Sequence, residues 1–433
     1  MPALRGRNHL IDAARVAAVL MVVGYHAAFF RVGVADGRLW LERWQPAPVW
    51  WPATWVLMLL PLFFVAGGYA DAQSLDAARS RPSGVAGFLA ARGRRVGGPL
   101  TLFVLVVGGV ATALAWLPGS PPVTPYPAAG AADWPTLLTL LSRDYSAFLW
   151  FLTVYLLLVL LAPLSVRLHD RSGWLPAGVL GLGAAAVDAW SFTSGSADVR
   201  YLNWLLVWPL CHQLGVGYQR GGFTRGPGWV PAAALAGGAT GVWALIALLG
   251  YPGSAIVSYY PPTVALALLA LAQTGLLGML ERAGVLRTLS PAAERALSWL
   301  GAALMAVYLW ETTAIVAASA LLAWVALSVP AAGWLLHPVV IAAASLAVLA
   351  ALVPPLARAG RRLTPPAGDQ PRLLPVVAGY ALLIGGTASA WQWGLLLHPG
   401  RPAAGVAVVL VLGGAALLAW GSGGRAAPRV SPG

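Results

Sequence analysis

Apolar runs close to 20 residues long, recurring from end to end with only short polar or basic stretches between them, constrain this chain more than any other feature. A helix of that length covers the roughly 30 Å hydrocarbon core of a bilayer. Strands of a membrane barrel would instead alternate over roughly 10 residues, whereas these runs are apolar on every side. The expected fold is therefore all-α and polytopic. Spans are predicted near 10–30, 52–70, 97–117, 147–166, 173–192, 201–219, 229–250, 261–279, 300–325, 334–358, 375–395 and 403–421. Pro52, Pro231 and Pro261-Pro262 stand at expected first turns, where a missing N–H costs little.

The basic residues set the orientation. All 27 are Arg, and the net charge is +13. Twenty lie in one set of alternate loops and six in the other, with Arg15 inside the first span. That asymmetry places both termini in the cytoplasm and favours an even number of spans. A charge confined to loops between spans is explained by topology, so it does not point to nucleic acid. A single cysteine, Cys211, excludes an internal disulfide, and no Cys/His group has metal-ligand spacing. The basic N-terminus followed by an apolar run imitates a signal peptide, but the run is too long and too polar inside, and it is read as the first span. The longest non-apolar stretches, 31–51, 71–96 and 118–146, are each too short to bury a core. Any chemistry is expected in or at the membrane.

The first span, "IDAARVAAVLMVVGYHAAFF", carries Asp12, Arg15 and His26. On an α-helix, Arg15 and His26 differ in phase by about 20° and stand about 16 Å apart along the axis, and Asp12 falls on the same stripe. Ionisable groups inside a span cost roughly 2.5–3.5 kcal/mol each on insertion scales and normally face a cavity or a partner. Two readings are open. Asp12 and Arg15 can form an i, i+3 pair reaching for the interface while His26 bonds a neighbouring helix, or the three can line a cavity. Asp12 is too far from His26 to orient it and is expected to pair with Arg15.

This helix resembles the first helix of membrane-bound acyltransferase family 3, marked by an Arg and a His with ten residues between them. The resemblance continues in order. "LPLFFVAGGYA" (60–70) is similar to that family's second helix, and "FLAARGRRVGGPL" (88–100) to its cytoplasmic Arg-x-x-Arg segment through Arg92 and Arg95. "FLWFLTVYLLLVLLAPL" (148–164) is similar to the Leu-Trp-Phe-Leu helix of one branch, and "LMAVYLWETT" (304–313) to a late Tyr-Leu-Trp-His helix. The resemblance implies an acyltransferase domain of ten helices over 8–358, then a basic cytoplasmic loop over 359–374, a two-helix membrane extension over 375–421 and a disordered tail over 422–433.

The resemblance also implies an activity. Members transfer acyl groups, commonly acetyl from acetyl-CoA, to hydroxyls of sugars, glycans, lipids and small molecules, without a metal. Arg92, Arg94 and Arg95, with Arg15 deeper, would hold the phosphates of acyl-CoA, although the positive-inside bias alone also produces such a cluster. His26, a neutral imidazole, would act as general base, with a covalent acyl-imidazole as a variant.

Two positions depart from the family pattern. Glu311 stands where a His is frequent, and it could orient His26, bind acceptor hydroxyls or bond another helix. "WFLTVYLLL" replaces the Trp-Ser-Leu and acidic residues of the glycan-modifying branch, which speaks against that branch's acceptor. Trp150 and Asp188 are the expected acceptor contacts, while Asn203, His212, Gln213 and Gln273 are expected to make interhelical hydrogen bonds.

The expected location is the bacterial cytoplasmic membrane, with membrane lipid, acyl-CoA and an acceptor as partners and no nucleic acid. A transporter or flippase for a lipid-linked or acylated substrate is the reading from another class, but transporters show internal repeats and the halves of this chain do not. An inactive member serving as a membrane partner is a third reading, weakened by the presence of both Arg15 and His26.

Overall fold

The computed structural model describes residues 7–35, 38–43, 47–117, 145–364, 366, 368 and 370–423. Most of the 118–146 stretch and of the expected tail therefore lies outside the described residues. The first helices are α1 (His9–Phe29), α2 (Trp51–Leu57), α3 (Leu60–Arg79) and α4 (Gly84–Ala115). Then come α5 (Leu149–Ser172), α6 (Leu175–Ser194), α7 (Val207–Gln219), α8 (Trp229–Leu249) and the single turn α9 (Ala255–Ser258). The chain finishes with α10 (Val264–Arg282), α11 (Pro291–Ser328), α12 (Pro338–Arg362), α13 (Leu373–Trp393) and α14 (Pro402–Gly421). Eleven helical segments are long and apolar enough to cross a membrane.

The protein is thus an all-α polytopic membrane protein with one small departure. Strands β1 (Phe30–Ala35) and β2 (Arg38–Arg43) pair antiparallel after α1, with Phe30 opposite Arg43 and Ala35 opposite Arg38. The stretch 71–96, expected to join two spans, is itself largely helical, since only residues 80–83 separate α3 from α4.

Eleven of the twelve expected spans appear as such segments, and 201–219 is the exception. It divides into a 3₁₀ segment, Asp198–Leu205, and the 13-residue α7. The two pieces rise about 16 Å and about 20 Å, which together exceed the hydrocarbon core. They run back along α6: Asn203 bonds Asp188, Leu206 lies against Gly183, Leu210 against Gly181, and Gly217 meets the ring of Trp174 just before α6 begins. The break has left a full-length antiparallel neighbour of α6.

The second span is also broken. Pro61 lacks an N–H and its ring crowds the carbonyl of Leu57, so α2 stops and α3 restarts at Leu60. Gln273 donates to the carbonyl of Met58 exposed by the break, at 2.8 Å.

The chain divides into two compact units. The first comprises Met1–Val23, Gln45–Ala77 and Leu161–Leu304. Its core includes the α3–α7 crossing, where Gly68 faces the His212 carbonyl and Gly215 faces the Val65 carbonyl; a methyl group on either glycine would collide with backbone. Arg220 ties the end of α7 to α3 and α5, with its guanidinium bonded to both Asp76 and Asp170. The second unit comprises Gly24–Trp44, Ala78–Leu160 and Met305–Gly433. There α13 and α14 pack on each other and on α4. Tyr380 donates to the Leu89 carbonyl at 3.0 Å, and Thr153 meets Thr387 at 2.9 Å.

Candidate functional site

In the second unit, two sequence-distant residues meet. His26 sits in the last turn of α1 and Glu311 lies inside α11, 285 positions away, with Nδ1 and Oε1 2.8 Å apart. The Glu311 side chain is 1% exposed and that of His26 is 28% exposed, so the carboxyl is sealed while the imidazole side chain stays partly uncovered. Of the three readings open for Glu311, this contact fits two, orientation of His26 and a bond to another helix. Its other oxygen, Oε2, is buried without a hydrogen-bond partner among the described residues. A buried acceptor left in that state costs roughly 1–3 kcal/mol, a cost that a donor reaching it would relieve.

An aromatic group supports this pair. Tyr308 stands one turn before Glu311 and donates to the carbonyl of Phe148 at 2.7 Å. Its ring meets Phe148 edge-on at 5.1 Å and Phe151 at 5.2 Å, while Phe103 meets Phe148 at 5.7 Å and Trp310 at 5.6 Å. Residues from α4, α5 and α11 thereby fix the face of α11 next to the one that bears Glu311. Trp150 joins the group through Phe151, at 6.0 Å and perpendicular to it, and is itself half-buried.

The expected arginine cluster separates by phase. Arg92 and Arg94 lie about 200° apart around α4, whereas Arg92 and Arg95 lie about 60° apart. Arg92 is buried over the Phe88 ring, with 5.8 Å to the ring centroid, and Arg95 is exposed. Arg94 is half-buried and its Nε has no hydrogen-bond partner among the described residues. The three charges therefore do not converge on one point.

In the first unit, the expected Asp12–Arg15 pair is not formed. Asp12 accepts from Arg7 instead, at 2.6 Å, and Arg7 also reaches Ser298. Position 7 precedes the helix, so its side chain is free to turn onto the first turn of α1, where an acidic group is also favoured by the helix dipole. Arg15 is half-buried and has no ion pair or hydrogen bond among the described residues.

Asp188 is 0% exposed. It accepts from Asn203 at 2.8 Å, from Tyr251 at 3.0 Å and from the Val264 backbone at 2.8 Å. With both oxygens engaged and no exposure, it braces α6 against the 3₁₀ segment and the start of α10; the acceptor contact expected of it does not fit. His212, Gln213 and Gln273 make the interhelical bonds expected of such residues. The partner of His212 was not foreseen: Asp71, in a polar turn of α3, lies 3.3 Å from Nε2. Among the described residues no group of three or more His, Cys, Asp or Glu could hold a metal ion.

A family model described as an acyltransferase domain matches residues 8–354. The chain belongs to membrane acyltransferase family 3. The match takes in α1, the Arg segment of α4, and Glu311, and it ends within α12, before α13 and α14. Neither the curated proteins nor the solved structures gave a match. The protein is thus an acyltransferase enzyme and a multi-pass membrane protein.

Proposed function

We propose that this acyltransferase takes its acyl group, acetyl in the simplest case, from acyl-CoA and delivers it to a hydroxyl of a sugar, glycan, lipid or small molecule, with His26 as general base. The observation that carries the reading is the His26–Glu311 pair, in which a sealed carboxyl holds one nitrogen of a ring whose other nitrogen makes no hydrogen bond among the described residues. With Nδ1–H donating to Glu311 Oε1, the Nε2 lone pair is left for the acceptor hydroxyl. Nε2 takes the proton of the acceptor hydroxyl as its oxygen attacks the thioester carbonyl. The tetrahedral intermediate then expels the thiolate, the C–S bond breaks, and the imidazolium returns its proton to the sulfur. Glu311 stabilises the transient positive charge, as the carboxylate of a hydrolase triad does. Arg15, a half-buried cation without an ionic partner among the described residues, is the group to hold a donor phosphate.

The test is thiol release. Purified protein in detergent or vesicles, given acetyl-CoA and a panel of hydroxyl acceptors, should liberate free CoA in an acceptor-dependent manner. His26→Ala should abolish that release while elution and thermal unfolding stay as in the wild type. Release unchanged in the His26 variant removes the mechanism, and no release from the wild type with any acyl-CoA removes the donor.

A further inference from the structure

The first unit holds a pocket of about 570 Å³ where the chain enters α1 and leaves α10. That volume lies within the range of small-molecule sites, roughly 300–1,000 Å³. Neither His26 nor Glu311 lines it, and its polar walls are Arg7, Asn8, His9, Glu281 and Arg287. All five stand on the Arg-rich side of the membrane, the side assigned to the cytoplasm by the positive-inside rule.

The groups differ in what they have left to offer. The Arg287 guanidinium makes no ion pair or hydrogen bond among the described residues, and Nδ1 of His9 is buried without a partner. Asn8 is fully used: its carbonyl accepts from the Leu10 and Ile11 backbones, capping α1, and its amide donates to Glu281 Oε2 at 2.9 Å. Tyr218 donates to the same Glu281 oxygen at 2.7 Å, leaving Oε1 without a hydrogen bond among the described residues. Because Asn8 already caps the helix, the anion-binding capacity here comes from side chains and not from the helix end.

A bare phosphate would be repelled by Glu281, and a simple cation by Arg7 and Arg287. A molecule with phosphates at one end and hydroxyl or amine donors at the other satisfies both. Leu10, Val285 and the largely covered Tyr69 ring complete the lining and make its floor apolar. On the same side of α1, beyond Asp12 and its partner Arg7, stands Arg15, seven residues beyond Asn8 and about 20° from it in phase, so a cation with no ion pair among the described residues follows the pocket inward.

We infer that this pocket binds a nucleoside phosphate, the nucleotide end of acyl-CoA, with Arg287 on a phosphate and Glu281 Oε1 on a ribose hydroxyl or the base amine. The inference rests on the acyl-CoA reading of the donor, and it assigns recognition of the donor's head to residues outside the Arg segment of α4.

Two measurements test it. Adenosine 3′,5′-bisphosphate should bind the purified wild-type protein by calorimetry, compete with acyl-CoA, and bind roughly tenfold or more weakly to Arg287→Ala, the loss expected for one charge-assisted hydrogen bond. In turnover, Arg287→Ala should raise KM for acetyl-CoA by a similar factor and leave KM for acetyl-pantetheine, which lacks the nucleotide, unchanged. Bisphosphate that fails to bind the wild type, that binds without competing, or that binds Arg287→Ala equally well overturns the inference. An equal KM change for both donors does the same. A wild type that releases thiol from acetyl-CoA while the bisphosphate fails to bind defeats the pocket alone; a wild type that binds bisphosphate but releases no thiol defeats the donor reading.

Discussion

Among the described residues, two histidine–carboxyl pairs occur, one in each unit, and they differ in what surrounds them. In the second unit, His26 lies 2.8 Å from Glu311 and 28% of its side chain is exposed. In the first, His212 lies 3.3 Å from Asp71, with the two side chains 3% and 5% exposed. The second nitrogen of His212 is also occupied, by Ser165 at 3.3 Å, and Gln213 donates to the same hydroxyl at 3.0 Å. On residue types alone, Asp71, His212 and Ser165 make the better imitation of a hydrolase triad. His212 and Asp71 are nevertheless almost wholly covered between α3 and α7, with Ser165 of α5 half-buried beside them, while 28% of the His26 side chain is uncovered. Pairing with a carboxyl is common to both; both nitrogens of His212 are engaged, as in a pair that holds helices together, whereas Nε2 of His26 makes no hydrogen bond among the described residues, as a group that moves a proton requires.

The most severe way to break this contrast is at Glu311. Glu311→Gln keeps the shape of the side chain but removes the charge that stabilises an imidazolium, and kcat should fall by roughly 10⁴-fold, the loss seen when a triad carboxylate is neutralised. The acyl-donor KM should change little, because the loss is confined to the transition state. Steady-state thiol release measures both quantities. A kcat within a few-fold of wild type would mean that Glu311 only packs α11 against α1.

The sealed pair should respond in the opposite way. His212→Ala leaves Asp71 without its imidazole in a closed interior, a change of the kind that costs about 3–5 kcal/mol when one partner of a buried pair is removed. Thermal unfolding in detergent should begin several degrees lower, while kcat per folded molecule stays near the wild-type value. A collapse of kcat with unfolding unchanged would make the first-unit triad the reactive one and reverse the comparison.

Much of this was legible in the sequence, because the bilayer imposes length and polarity on every span. Eleven apolar runs became helical segments, and the Arg15-x10-His26 stripe pointed to α1 as the helix that carries chemistry. The misreadings fall where local geometry overrides a hydropathy window. The run 201–219 has the length of a helix but divides between 3₁₀ and α geometry, and the division costs little because it is braced by Asn203 on Asp188. The strands 30–35 and 38–43 flank an Asp-Gly pair, a hairpin signal that a reading for apolar spans alone passes over. Partners were the least legible. The sequence left His26 as one of several possible partners of Glu311 and offered none for Asp71, since each contact depends on which helix faces are brought together. Arg92 and Arg94 show the converse, because adjacency in sequence suggested a cluster that helical phase takes apart.

Asp12 adds a third pair to the comparison, the most exposed and the one from which least is expected. Its partner is Arg7, at side-chain exposures of 27% and 41%, and an ion pair so open to solvent contributes at most about 1 kcal/mol. Asp12→Asn should therefore shift unfolding by no more than a degree or two and leave the acyl-donor KM within about twofold of wild type, whereas Arg15→Ala should raise that KM roughly tenfold through loss of one charge-assisted contact. The two variants separate alternatives that one helix stripe had merged. If Asp12 steadied Arg15, as their i, i+3 spacing predicts, both changes would raise KM together. If Asp12 belongs to Arg7, as the 2.6 Å contact has it, only the Arg15 change does. A salt titration sharpens the distinction: the small stability effect of Asp12→Asn should vanish at high ionic strength, where exposed pairs are screened, while the KM effect at half-buried Arg15 should persist.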